Sequence, residues 1–438
     1  MKAEKRRIYV SSTWTAITRA GVQTDIPDRP QRIRRSARCT KGTHRERIKG
    51  MKNIWTKLIM ASIVGGAIAG AAGALAQQID VPLPGHRIVI NSRSAAFEFA
   101  DQNQLTFGVD GDSRLIFLTE PLAQRIAVLD RFTGQEIGQV PAPPSGFLLP
   151  FSIRVPSAGR LVVLDPGGFP NPAVPSIARV YDYDYQWNEA SRTFSATLAR
   201  TVSFAGLPVI FVEDVEVTSS GLYVVAESVI GALWVIHPDG TITPGVFPSS
   251  GVPIPQLGPC ALPAVTVEGI PFGAPGGFAP GVVSLTSRAG DLYFGTTCSG
   301  GLYRIPIQSL VDGLRSPDQR AQDIAVVSPR PAGTFESFEG LAVNRFNIHD
   351  NAVYACDSFH LQILRIDAST GARTVIAADP LLFNFPVKLQ FLPPVLGVSP
   401  LVVASDQEYR LAAINSALSH DILQPPWIVT KVLVFDPY

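Results

Sequence analysis

The side chains in this sequence that could do chemistry are mostly carboxylates, and they fall into two positional classes. Five of them end a short apolar run: Glu120 after LIFLT, Asp165 after LVVL, Glu227 after YVVA, Asp357 after VYAC and Asp406 after VVAS. The others stand where a different apolar run begins, namely Glu213 and Asp214 in VEDVEV and Glu336 and Glu339 in ESFEG, with Lys388 in the corresponding stretch PVKLQF. Carboxylates gathered around a narrow space repel one another, and a divalent cation relieves that by taking oxygen ligands. A hard ion such as calcium suits this set better than zinc, because the whole chain has only 6 His and none forms a clustered pair. Glu213 and Glu339 have no counterparts in the other runs, and with Asp214 they form the candidate metal set. The recurring acids have a plainer reading as caps on local backbone. Among them Asp357 and Asp406 are the candidate catalytic carboxylates. His360, three residues after Asp357, is either a base oriented by it or a side chain that fills the turn. No G-x-S-x-G, H-E-x-x-H, P-loop or G-x-G-x-x-G in a strand-to-helix setting is present, so serine-nucleophile, zinc-protease and nucleotide chemistry all lose support.

These residues converge only if the apolar runs are parts of one repeating unit. Residues 338–371 contain that unit at its clearest, with GLAV and AVYA as two short strands and LQILRID followed by ASTG as a third strand and its exit turn. The second strand of the unit begins again at Leu115, Leu161, Leu222, Leu292, Ala352 and Leu401. The strand that follows it reads as RIAVLD, residues 178–183, ALWVI, GLYRI, QILRID and residues 410–415. The runs are apolar on both faces, which is what a blade buried between two neighbours requires. The expectation is an all-β, six-bladed β-propeller with four-stranded antiparallel blades. In that architecture the start of each innermost strand and the turn between the second and third strands share one face around the channel. A strand from residues 86–99 is expected to pair with the C-terminal strand, residues 429–436, closing the ring and removing exposed edges.

The N-terminus reads differently. Residues 1–50 hold 14 Lys/Arg against 4 Asp/Glu and have little apolar periodicity. No nucleic-acid-binding module accompanies this basic stretch. From Met51, a short basic region, an apolar stretch and the Ala74-Leu75-Ala76 triplet match a signal peptide cleaved after Ala76. The stretch is weakly apolar for a membrane span, so cleavage is expected in preference to anchoring. The propeller then occupies residues 77–438, with 1–50 as an extension outside the mature protein. Mature residues carry 21 Lys/Arg against 32 Asp/Glu, a net charge of about −11. That balance argues against DNA, RNA and anionic lipid as partners and leaves a small molecule or a protein; the signal peptide predicts a secreted or periplasmic protein, expected as a monomer. Cys260 and Cys298 could bridge in such a compartment, while Cys356 reads as a small core residue on a strand. The Pro- and Gly-rich residues 244–281 are too long for an ordinary connection, and their low polarity predicts a loop draped over one face, either as a pocket lid or as a strap held by Cys260.

The phrase GLAVN…NAVYACDSFHLQILRID resembles the NHL repeat, with Asp357 and Ser358 matching and His360 replacing an Asn. The mature chain looks like the wider superfamily of six-bladed calcium-dependent phosphotriesterase folds, which includes NHL proteins and the regucalcin/gluconolactonase family. Phe338-Glu339-Gly340 is similar to the Glu-Gly start of a regucalcin-type innermost strand, whose Glu binds the channel metal. The resemblance implies a calcium-type ion polarising a lactone or ester carbonyl, with an Asp as base for water. The chain departs from that pattern in lacking Asn ligands where blades two to four begin, and in carrying Glu-Gly in the fifth repeat. Two functions follow as expectations: a metal-dependent lactone or ester hydrolase, and a non-catalytic NHL-like propeller that binds a ligand or protein on its rim.

Overall fold

A computed structural model describes residues 79–83, 86–169, 177–273 and 277–435. Residues 1–76, where a basic extension and a signal peptide are expected, lie outside the described residues. Among the described residues, no helix is long and apolar enough to cross a membrane.

Six sheets of at least four antiparallel strands make six blades around a central channel. Blade one runs Gly108–Gly111, Leu115–Glu120, Arg125–Asp130 and Glu136–Gln139, from channel to rim. Blade three is Val212–Val217, Tyr223–Glu227, Ala232–Ile236 and Ile242–Val246, and blade five is Phe338–Val343, Ala352–Asp357, Gln362–Asp367 and Arg373–Ala378. The outer pair of blade two, Arg179–Asn188 and Thr193–Ser203, is the longest in the ring, as the alternation in that stretch predicts.

The second strands are buried end to end, Leu115–Glu120, Ala352–Asp357 and Pro400–Ser405 among them, because each meets a neighbouring sheet on both faces. Between blades five and six, Tyr354, Cys356, Leu389, Phe391, Leu401 and Val403 form one cluster. Each large apolar side chain removed from water in this way contributes about 1.5–3 kcal/mol. Near the channel the blades come too close for side chains. A Cβ on Gly340 would meet Val387 O at 2.7 Å, and one on Gly295 would meet Phe338 O at 2.7 Å, so glycine there sets the spacing of blades four, five and six.

Ring closure takes the expected form. Ser94–Gln102 pairs along Trp427–Val434, with Ser94 opposite Val434 and Gln102 opposite Trp427, and becomes the outer strand of blade six. His86–Ile90 and Ile79–Leu83 extend that sheet outward. One expectation is corrected: residues 410–415 are not the third strand of blade six, which is Trp427–Val434. After Asp406 the backbone turns left-handed at Gln407 (φ 57°) into a 3-10 turn at Glu408–Arg410, and the Asn415 side chain accepts from Ala417 N and Gly273 N. Backbone hydrogen bonds that a strand would need are met locally, and residues 406–426 become a loop over the channel mouth.

Candidate functional site

The channel mouth is shaped by a repeated irregularity. The innermost strands of blades three to six break register at the same place, between Val212 and Asp214, Val282 and Ser284, Phe338 and Gly340, and Pro386 and Lys388. Such bulges leave one residue outside the ladder and re-aim its side chain. The residues so released are Glu213, Val283, Glu339 and Val387. Glu213 and Glu339 keep 8% and 9% exposure, so both carboxyls are nearly but not wholly withdrawn from water.

Asp214, one residue on, has a different task. It accepts from Ser152 Oγ at 2.5 Å, Arg154 Nη2 at 2.9 and 3.0 Å, Leu285 N at 2.8 Å and Val215 N at 3.0 Å, and Lys388 Nζ stands 3.3 Å away. Burial opposes its charge, but Arg154, then Lys388 and these donors, outweigh it and hold the carboxyl below its usual 3.8. Arg154 also reaches Glu216 at 3.2 Å, and Lys388 donates to Glu339 O at 2.9 Å. Blades two, three, five and six are thus tied across the channel by one buried ionic knot.

Around it sit carboxyls of the opposite character. Burial and then the charge of Glu339 push Glu213 well above the usual 4.5, against the pull of Ser228 and Lys388. Burial also raises Glu339, which accepts from Ser337 Oγ and from Thr297 Oγ1 at 3.3 Å and is held back by Lys388. Asp406 is pushed well above 3.8 by burial and by Glu339; one of its oxygens accepts from Glu408 N at 3.0 Å, and Oδ2 is buried with no partner. Glu408 is raised by burial and by Asp406. Burial pushes all four carboxyls up, neighbouring carboxyls add to this for Glu213, Asp406 and Glu408, and Lys388 pulls all four down.

Two of the other recurring acids cap local backbone, as the plainer reading has it, while Glu120 and Asp357 bind side chains instead. Asp165 accepts from the backbone N–H of Leu148, Leu149 and Gly167, and Glu227 from those of Ile210, Phe211 and Ile230. Glu120 pairs with Arg125. Asp357 accepts from Gln362 Nε2 at 2.7 Å and holds His360 Nδ1 at 2.9 Å, which raises the imidazole above 6.5. The dyad lies on the outer side of the mouth beside Phe359, and the His360 side chain is 43% exposed.

Two loops cross this face. In the long loop, Val265–Val267 and Ile270–Phe272 form a hairpin whose Val267 packs on Leu361, Phe385, Val387 and Tyr409. Phe272 meets Phe359 at 5.1 Å and Phe385 at 5.9 Å between ring centroids. The disulfide Cys260–Cys298 fastens the base of this loop to blade four. The blade-six loop packs Leu411 and Trp427 on Phe107, Phe151 and Phe211, the residues beside the innermost strands of blades one to three. Asn415 latches the two loops together: Gly273 N donates to its Oδ1 at 2.7 Å, and its Nδ2 donates to Pro271 O at 2.8 Å and Tyr409 O at 2.6 Å.

Sequence reasoning named Glu213, Glu339, Asp406 and Lys388, and the fold brings them together. It missed Glu408, which follows Asp406 by two residues, and Asn415, which it assigned to a strand. Ser337 and Thr297, the partners of Glu339, had no sequence signal beyond lying at strand ends.

The fold and site define a six-bladed β-propeller with a buried, lidded carboxyl cluster. The chain is similar to a protein of unknown function from Bacteroides thetaiotaomicron, at 12% identity and a TM-score of 0.49, over 83% of this chain and 88% of that one. It is also similar to the aldose sugar dehydrogenase of Streptomyces coelicolor in its PQQ-bound form, at 12% identity and TM-score 0.45, covering 82% and 100%, and to a calcium-binding protein, regucalcin, from Agrobacterium tumefaciens, at 14% and 0.43, covering 76% and 92%. At these values no activity or ligand carries over to this chain. No family model matches the sequence, and no curated protein matches it.

Among the described residues, no group of three or more His, Cys, Asp and Glu could hold a metal ion. Two protein cations, Arg154 and Lys388, already neutralise Asp214.

Proposed function

We propose that the lidded mouth of the channel is a hydrolytic site for a small lactone or ester, worked by carboxyl groups without a resident metal. The observation that carries this reading is the bulged pair Glu213 and Glu339, two nearly buried carboxyls whose surroundings raise the first more strongly than the second. Pairs of acids whose surroundings separate their pKa values divide into an acid and a base. Glu213, the more strongly raised, hydrogen-bonds the substrate carbonyl and then gives its one proton to the leaving oxygen. Glu339, which Ser337, Thr297 and Lys388 favour in its charged form, takes the proton of the attacking water. Water adds to the carbonyl carbon, the ester C–O bond breaks, and the two protons end on the product alcohol and on Glu339. The hairpin and the blade-six loop exclude bulk water and offer apolar contacts for the substrate body. The Cys260–Cys298 bridge supports an oxidising compartment and so export of the chain, which acts as a monomer.

The test is a lactone and ester panel with the purified chain and with Glu213→Gln and Glu339→Gln. Turnover lost in both variants, while folding is kept, supports the reading; turnover unchanged in either one sinks it. Elemental analysis and melting with and without chelator accompany the panel, and a stoichiometric divalent ion whose removal lowers the melting temperature overturns the metal-free mechanism.

A non-catalytic binding propeller is favoured by one observation. Phe107, Phe151 and Phe211 fill the mouth on the side of blades one to three, with ring centroids 4.7 and 5.4 Å apart in succession. No turnover on any ester, together with saturable binding of a ligand or protein, would select this reading.

A further inference from the structure

The opposite face of the ring carries a second, chemically different feature. The innermost strands end there, and residues from blades three, four and five enclose a cavity of about 370 Å3. Ligand pockets span about 300–1,000 Å3, so the space suits a small molecule. Its lining includes Arg288, Arg345, Asn344 and Ser287, the apolar Ile307 and Val343, and no carboxylate.

Both guanidinium groups are only partly used by the protein. Arg288 donates from Nη2 to Ile348 O at 2.9 Å, which fixes the side chain across the gap between blades four and five. Its Nη1 is buried and has no hydrogen-bond partner. Arg345 donates from Nη1 to Val155 O at 2.9 Å, while its Nη2 stands 3.8 Å from Asp110, beyond hydrogen-bond reach. The lining thus brings two guanidinium side chains to one cavity and no carboxylate, with Arg345 also paired to Asp110 outside it.

We propose that this cavity binds a small organic carboxylate. The guanidinium fork matches a carboxylate in plane and spacing. Asn344 and Ser287 supply further polar contacts, and the apolar wall of Ile307 and Val343 takes the body of the acid. An inorganic oxyanion shares the guanidinium chemistry but makes no use of that wall. The site is separate from the carboxyl cluster, so it stands whether or not the hydrolase reading does.

The experiment is a titration of the full chain with benzoate, benzyl alcohol and inorganic phosphate, read by calorimetry and by melting temperature. Benzoate is expected to bind saturably and raise the melting temperature, benzyl alcohol to do neither, and Arg288→Gln to weaken benzoate by about tenfold or more. Arg345→Gln gives an independent reading if Arg288→Gln does not fold, and is expected to weaken benzoate too. Absence of benzoate binding, an equal response to benzyl alcohol, or an undiminished affinity in the folded variants overturns the proposal. Phosphate binding tighter than benzoate overturns it as well, in favour of an inorganic oxyanion.

Discussion

Glu213 and Glu339 hold one and the same position in two different blades: each is the residue its innermost strand skips between ladder partners, and each turns a carboxyl into the channel mouth. The matching residues of blades four and six are Val283 and Val387, so the acids alternate with apolar side chains around this half of the channel. Alternation keeps the two carboxyls apart but within electrostatic reach, and Glu339 raises Glu213 for that reason.

The first prediction concerns pH. Groups whose folded pKa is raised bind protons more tightly in the folded chain, so their contribution is most favourable on the acid side and is lost as pH climbs from the ordinary 4.5 through the raised value. Melting temperature is expected to fall as pH rises from about 5 towards neutrality, and Glu213→Gln to flatten that fall. Superimposable pH profiles for the two proteins would count against the buried, protonated carboxyl.

Asp214→Asn should act in the other direction. It leaves Arg154 and Lys388 buried without their shared counter-ion, and breaking such a buried pair costs about 3–5 kcal/mol. Urea denaturation measures the loss; a loss under about 1 kcal/mol, the scale of an exposed pair, would show that the knot is no cross-channel tie.

Asn415→Ala should release the loops while leaving the blades intact. Three hydrogen bonds to Gly273, Pro271 and Tyr409 disappear, and hydrogen exchange is expected to rise in residues 262–273 and 409–415 but not in the second strands. Equal protection in variant and parent would mean that the apolar contacts alone hold the lid.

At His360 the expected titration midpoint lies above 6.5, since the hydrogen bond it donates to Asp357 favours the imidazolium. Stabilisation from this pair is full below 6.5 and fades as pH passes the raised value. NMR titration of Asp357→Asn should show the midpoint moving down. Because the dyad sits outside the carboxyl cluster, His360→Gln is expected to leave ester turnover within about twofold.

Much of the fold could be read from sequence because a blade strand is buried on both faces and therefore spelled in Val, Leu, Ile and Tyr. The outer strand of blade one, Glu136–Gln139, could not, since its rim residues are exposed and carry no apolar signal. In the blade-six loop the error had another cause. Residues 410–415 contain enough apolar side chains for a strand, but those side chains face the channel mouth from a loop, as Leu411 does on the Phe107 cluster. At the site, Glu213 and Glu339 stood out as acids without counterparts, whereas the knot around Asp214 depends on Ser152 and Arg154 from another blade, and spacing along the chain carries no trace of that.

The pairing of Ser94–Gln102 with Trp427–Val434 also sets a schedule for the molecule's synthesis. The fourth place in the last blade is reserved for a strand made well before the C-terminus, so five blades can assemble on the ribosome while the sixth waits for the last strand. Bringing those ends together closes the longest loop in the chain, a slow step by contact-order reasoning. Until then the nascent ring has two open edges, and a chain cut short before Trp427 would keep them permanently.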